Sequence, residues 1–98
     1  MRTFEIDGKR YTDRQLAEAI RTYVRENGDR PLTDILVQPP RSPVLKAMVL
    51  SVRDDPVARY VVKQQLQRGI EGFGSMSAVL DIACFIIDVI NKFRSKRG

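Results

Sequence analysis

A chain of 98 residues with 43% hydrophobic and 30% charged residues predicts one globular domain and excludes wholesale disorder. The formal net charge of +5 predicts a negatively charged partner, either a nucleic acid or an acidic protein. The single cysteine excludes an internal disulfide and suits the cytoplasm, and the absence of histidine removes the commonest general base and metal ligand.

The first predicted element is a β-hairpin at about 3–12. An Asp-Gly dipeptide in its middle is a favoured two-residue loop, because both loop positions require a positive φ. This loop pairs Phe4 with Tyr11 and places both side chains on one face with Ile6. Because an isolated hairpin is marginally stable, we expect that apolar face to pack on helices.

An amphipathic helix is predicted at about 13–27. Thr12 followed three residues later by Gln15 is a capping-box pattern, and Gly28 marks the end of the helix. One face of this helix is apolar and consists of Leu16, Ala19, Ile20, Tyr23 and Val24. The outer face carries three arginines that are candidates for partner binding, namely Arg14, Arg21 and Arg25.

The middle of the chain predicts three shorter helices, at about 31–36, 43–53 and 56–68. The stiff segment PPRSP connects the first two. Ser42 and Asp55 each precede a proline, a pattern in which the side chain caps a helix whose first residue is that proline. In the third helix we expect Val57 in the apolar arc. Its polar side carries further candidates for partner binding, namely Arg59, Lys63, Gln67 and Arg68.

The last predicted helix, at about 76–93, is almost entirely apolar and precedes a basic tail at 94–98. Its apolar arc of roughly 220° exceeds the roughly 100° that a surface helix buries. Two explanations remain open: the helix is central, or it also packs on a second subunit of a homodimer. The candidate interface residues are Ile82, Ile86, Ile87 and Ile90. On its polar stripe, Asp88 and Lys92 have the spacing of a weak ion pair.

The sequence contains no recognisable catalytic or metal-binding pattern, so it predicts a non-enzyme without cofactor or metal. Cys84 has no cysteine or histidine companion, which predicts an inert thiol in an apolar helix. The segment GIEGFGSMS lacks the Gly-Lys-Ser/Thr ending of a phosphate loop and is interpreted as a hinge. The first ten residues lack the apolar segment of a signal peptide, and Asp81 and Asp88 interrupt the longest apolar run. We therefore expect neither a signal peptide nor a membrane span.

Together these elements predict a mainly α fold, in which an N-terminal β-hairpin precedes a four- or five-helix bundle around the hydrophobic C-terminal helix. Residues 1–93 are expected to form one domain. The opening FEIDGKRYTDRQLAEAI resembles the start of small bacterial and bacteriophage accessory proteins. The functional hypothesis is a small protein-interaction module, an accessory inhibitor or adaptor. It would bind an acidic or nucleic-acid-like surface through arginine-rich helix faces.

The alternative hypothesis is a DNA- or RNA-binding transcriptional regulator that uses helix 56–68. Arg59, Lys63 and Gln67 are residue types that read base edges. The carboxylates of Asp54 and Asp55 count against it, because they lie at the start of the helix, where DNA phosphates would approach.

Overall fold

The computed structural model describes residues 1–28, 30–38, 41–68 and 75–97, with side chains described as far as residue 94. Residues 69–74 of the predicted hinge and the two prolines at 39 and 40 lie outside these residues. The elements, in chain order, are β1 (Thr3–Ile6), β2 (Lys9–Thr12), α1 (Asp13–Asn27), a 3₁₀ helix (Leu32–Leu36), α2 (Pro43–Val52), α3 (Pro56–Arg68) and α4 (Met76–Arg97). The prediction of a mainly α fold that opens with a β-hairpin is confirmed.

The hairpin has the predicted register, with Phe4 opposite Tyr11. Asp7 and Gly8 have φ values of 52° and 80°, the positive values that this two-residue loop requires. The rings of Phe4 and Tyr11 pack with their centroids 5.5 Å apart. Phe4 lies in the core and Ile6 packs against it, so the apolar face of the hairpin is buried on the helices as expected.

The helix ends are fixed by the local signals that the sequence contains. The backbone N–H of Gln15 donates to Thr12 Oγ1 at 3.1 Å, and the backbone N–H of Thr12 donates to Gln15 Oε1 at 2.8 Å. These two bonds complete the capping box of α1. Ser42 Oγ accepts from the Leu45 amide N–H at the start of α2. Asp55 Oδ1 caps α3 by accepting two amide N–H groups, each at 3.1 Å.

Helix α4 is the central element, in contact with α1, α2, α3 and β1. The wide apolar arc of α4 is therefore buried against these elements of the same chain. Of the four candidate interface residues, Ile86, Ile87 and Ile90 lie in the core of the single chain, and Ile82 is partly buried against it. The helix continues to Arg97 instead of ending near Phe93, so most of the predicted tail prolongs α4.

A group of side chains that we call the N-terminal latch joins the start of the chain to α1 and α4. It consists of Arg2, Asp13, Cys84 and Asp88. Arg2 Nε lies 2.9 Å from Asp88 Oδ1, so the carboxylate pairs with Arg2 and not, as predicted, with Lys92. Asp13 Oδ2 accepts from the Arg2 amide N–H at 3.3 Å and from Cys84 Sγ at 3.4 Å.

The latch makes the stability of the folded protein depend on pH in the acidic range. Burial raises the pKa of Asp13, but hydrogen bonds from the Arg2 amide, the Cys84 thiol and the Arg14 amide outweigh burial and hold it below its usual value of 3.8. The stabilisation is therefore complete above the unfolded-state pKa and is lost as pH falls through the lower native pKa. We expect the urea midpoint of the wild type to fall more steeply between about pH 4 and 2 than that of Asp13→Asn.

The matched control is Asp54→Asn, which makes the same charge change at an exposed carboxylate outside the latch. A wild type and an Asp13→Asn variant with equal slopes in this pH range would contradict the proposed contribution of Asp13.

Candidate protein-interaction surface

The described part of the chain contains no group of three His, Cys, Asp or Glu side chains placed to hold a metal ion. Among its helices, none is both long enough and apolar enough to cross a membrane. The thiol of Cys84 is partly buried, and burial, followed by the adjacent carboxylate of Asp13, raises its pKa. Because the thiolate is the nucleophile, this environment keeps the group in its unreactive form at neutral pH.

The arginines of α1 do not form one uniform binding face. Arg14 and Arg25 are exposed. Arg21 is partly buried, with its Nη1 atom 3.4 Å from Met76 Sδ at the start of α4. One of the three predicted cations therefore packs on a neighbouring helix, and the other two remain accessible.

Helix α3 presents a mixed apolar and cationic face that we call the α3 surface, formed by Val57, Tyr60, Lys63 and Gln67. Val57 is 57% exposed and Tyr60 is 61% exposed, although the sequence places Val57 in the apolar arc. Lys63 and Gln67 are exposed as well, as is Arg68 at the end of the helix. The 3-3-4 spacing of Val57, Tyr60, Lys63 and Gln67 is the signal in the sequence for such a stripe.

Arg59, the remaining predicted binding residue of α3, lies at the edge of this surface. It is partly buried, and its Nη2 atom donates to the carbonyl oxygen of Leu36 at 3.1 Å. The side chain therefore bridges α3 to the end of the 3₁₀ helix. Arg59 and Lys63 are one helical turn apart, so the α3 surface continues along this side of the molecule.

Beside Arg59 lies a concave region of about 390 Å³ that we call the α2 groove. Its apolar lining comes from Leu36, Val37, Val49 and Leu50, and its cations are Lys46, Arg53 and Arg59. Val37 is 72% exposed and Leu50 is 43% exposed. Apart from Arg59, sequence reasoning missed these residues. The available signal was the 4-3 spacing of Lys46, Leu50 and Arg53, which places them on one face of α2.

The charges on this side of the protein have one predominant sign. Neither α2 nor α3 contains an acidic residue. Arg53 Nε lies 3.7 Å from the Asp54 carboxylate, but both side chains are exposed, and such surface pairs contribute little stability. The guanidinium of Arg53 is therefore able to exchange this contact for another carboxylate.

A second groove, of about 600 Å³, separates α1 from the start of α2. Its lining carries both signs of charge, from Glu26 and from the cations Arg30 and Arg41. Arg30 Nη1 donates to Gln38 Oε1 at 3.2 Å. Tyr23 also lines it, and burial, followed by the charge of Asp34, raises the pKa of its phenol, which stays protonated at neutral pH. Because both signs of charge are present, this groove favours neither an anionic nor a cationic ligand.

The α3 surface and the α2 groove together combine exposed apolar side chains with cations on adjoining elements. Comparison of the chain with models of protein families, with curated proteins and with solved structures found no match. The function is therefore argued from the chemistry of these two surfaces.

Proposed function

We propose that this protein is a non-enzymatic interaction module, an accessory inhibitor or adaptor, that binds an acidic surface of a larger protein through the α3 surface. The observation that carries this proposal is the exposure of Val57 and Tyr60 on the same helix face as Lys63. Protein interfaces are enriched in aromatic residues, and tyrosine is among the residues that often form their energetic centres. The exposed apolar pair supplies area to bury, and the cations select the charge of the partner.

The acidic character of the partner follows from the charges on α2 and α3. The 23 residues of these helices, 10 in α2 and 13 in α3, include four cations and no acid. The four cations are Lys46, Arg59, Lys63 and Arg68. A partner that covers this side gains from carboxylates and is disfavoured if it brings its own cations. One unpaired cysteine suits a reducing compartment, and we place the module in the cytoplasm.

Nucleic acid is the other polyanion to consider. Asp54 is exposed just before α3, and Asp55 caps that helix. A recognition helix brings this end closest to bases and phosphates, where both carboxylates repel the ligand. An acidic protein can avoid this end and contact the middle of the helix, so the geometry favours a protein partner.

The first test is affinity capture from lysate of the source cell, with and without nuclease, read by mass spectrometry. We expect a partner that survives nuclease and is lost with Lys63→Glu. The matched control is Lys92→Glu, the same charge reversal at an exposed lysine of α4, which should retain the partner. Loss of all partners upon nuclease treatment would contradict the proposal and support a nucleic-acid-binding regulator.

Once the partner is purified, Tyr60→Ala provides a quantitative prediction. We expect its dissociation constant to rise about tenfold or more, because truncation of a central interface tyrosine removes at least about 1–2 kcal/mol of binding free energy. Isothermal titration calorimetry measures the change. The melting temperature should not move, since Tyr60 is mostly exposed in the isolated protein. An unchanged dissociation constant would place the interface elsewhere.

A further inference from the structure

We infer that the α2 groove binds an acidic amphipathic helix of the partner, with the apolar stripe of that helix against Val37 and Leu50 and its carboxylates on the surrounding cations. This inference rests on the proposed function, since it assigns the chemistry of a second contact with the same acidic partner. We draw this inference from the apolar side chains and the charges of the groove.

The apolar part of the groove is open to solvent. Val37 and Leu50 expose 72% and 43% of their surfaces, and Val49 is partly buried beside them. Leu36 closes the base of the groove and belongs to the core. Covering these side chains removes apolar surface from water, which favours association with a ligand that is itself apolar on one side.

The cations have a spacing that matches a helix. Lys46 lies in α2, and Arg53 is the residue that follows the last residue of this helix. The two are seven residues apart, which corresponds to a rise of about 10 Å, and Leu50 lies between them. A helix laid along α2 repeats this rise, so carboxylates at its positions i and i+7 can meet the two cations. Apolar residues at i+1, i+4 and i+8 then form a stripe beside these carboxylates and face Leu50. This pattern is the helix-in-groove mode of recognition.

Arg59 adds a cation on the other side of the groove, where it also contacts the Leu36 carbonyl. Carboxylates on both flanks of the ligand's apolar stripe can therefore pair with a cation of the groove. The exposed carboxylate of Asp54 already lies 3.7 Å from Arg53 Nε, so a ligand carboxylate must compete for that guanidinium. The charges select an acidic helix over a basic or neutral one.

Among the described residues, a stripe of similar chemistry lies on the exposed side of α4, formed by Asp81, Phe85 and Asp88. This stripe makes a second copy an alternative occupant. We favour the partner because Asp88 is already paired with Arg2. Contact between two different patches also generates a closed ring if the rotation closes and an open chain if it does not. Self-association is therefore an outcome of the test and not the proposal.

The test uses a fluorescein-labelled peptide of about 14 residues, or four turns, with leucine on one stripe and glutamate on both flanks. We expect saturable anisotropy changes with the full chain. The affinity should fall about tenfold or more with Leu50→Ser and with Lys46→Glu, since one removes an apolar contact and the other reverses a flanking charge. Lys46 is exposed, so its variant remains informative if Leu50→Ser destabilises the fold.

Two controls identify the binding site and the charge preference. Lys92→Glu should bind the peptide like the wild type, and a peptide with lysine in place of glutamate should bind at least about tenfold more weakly. Equal binding of both peptides, equal binding by Lys46→Glu, or no binding at millimolar protein would overturn the inference. So would sedimentation velocity that shows a self-associated protein from which the peptide is excluded.

The partner from the capture experiment separates this inference from the function on which it rests. Loss of the partner with Lys63→Glu but not with Lys46→Glu would leave the α3 surface as the interface and overturn the groove assignment. Loss with Lys46→Glu alone would retain the groove and reject the α3 surface. We expect both variants to weaken capture, and Lys92→Glu to leave it intact.

Discussion

Replacement of Ile86 by alanine is expected to lower the free energy of unfolding by about 2–5 kcal/mol. Ile86 is 0% exposed and lies in the central helix α4, so its truncation removes apolar contacts and leaves a cavity. Urea denaturation followed by circular dichroism measures the change. Ile86→Val, which removes one methylene, should cost only about 0.5–1.5 kcal/mol and provides the control for cavity size.

The same experiment tests how α4 is buried. If Ile86 packs within one chain, the urea midpoints of wild type and variant should not depend on protein concentration. If α4 were instead covered by a second subunit, mass action would raise the midpoint as the concentration rises. A concentration-dependent midpoint that Ile86→Ala abolishes would contradict burial of this side chain within the monomer.

Replacement of Phe4 by alanine is expected to cost about 3–5 kcal/mol of unfolding free energy, although Phe4 lies in a two-stranded hairpin at the edge of the fold. Its side chain is 2% exposed and belongs to the same core cluster as α4. The hairpin is thus a structural part of the domain. Urea denaturation again gives the value.

Glu5→Ala is the control for Phe4→Ala, because it changes the neighbouring residue on the solvent side of β1. Its carboxylate lies 3.8 Å from Arg10, and both side chains are more than half exposed. We expect a change within about 0.5 kcal/mol. If Phe4→Ala were equally mild, the hairpin would not stabilise the helical core.

Local signals explain why much of the fold is predictable. Thr12, Ser42 and Asp55 cap their helices with their own side chains, and the Asp7-Gly8 turn fixes the hairpin register, so neighbouring residues suffice to locate these features. The end of α4 was predicted too early. The basic residues after Phe93 are compatible with a helix C-terminus, where cations are favoured by the dipole.

The candidate site depends on contacts between elements and is therefore less accessible from the sequence. Valine is a residue type typical of the core, and only the position of α3 against its neighbours leaves Val57 exposed. Val37 becomes part of the groove because the 3₁₀ helix lies beside α2 and α3. The wide apolar arc of α4 predicted extensive burial correctly, but periodicity alone did not decide whether one chain or two provided it.

The bond from Arg59 to the Leu36 carbonyl has a consequence for the energetics of recognition. A long cationic side chain that is free in solution loses rotamer entropy upon binding, about 0.5–1.5 kcal/mol for each side chain that becomes immobile. Arg59 has given up part of this freedom during folding, and the bond uses one of its five guanidinium N–H donors. An incoming carboxylate thus meets a preorganised cation, and the entropic cost of ordering it is carried by the stability of the folded protein.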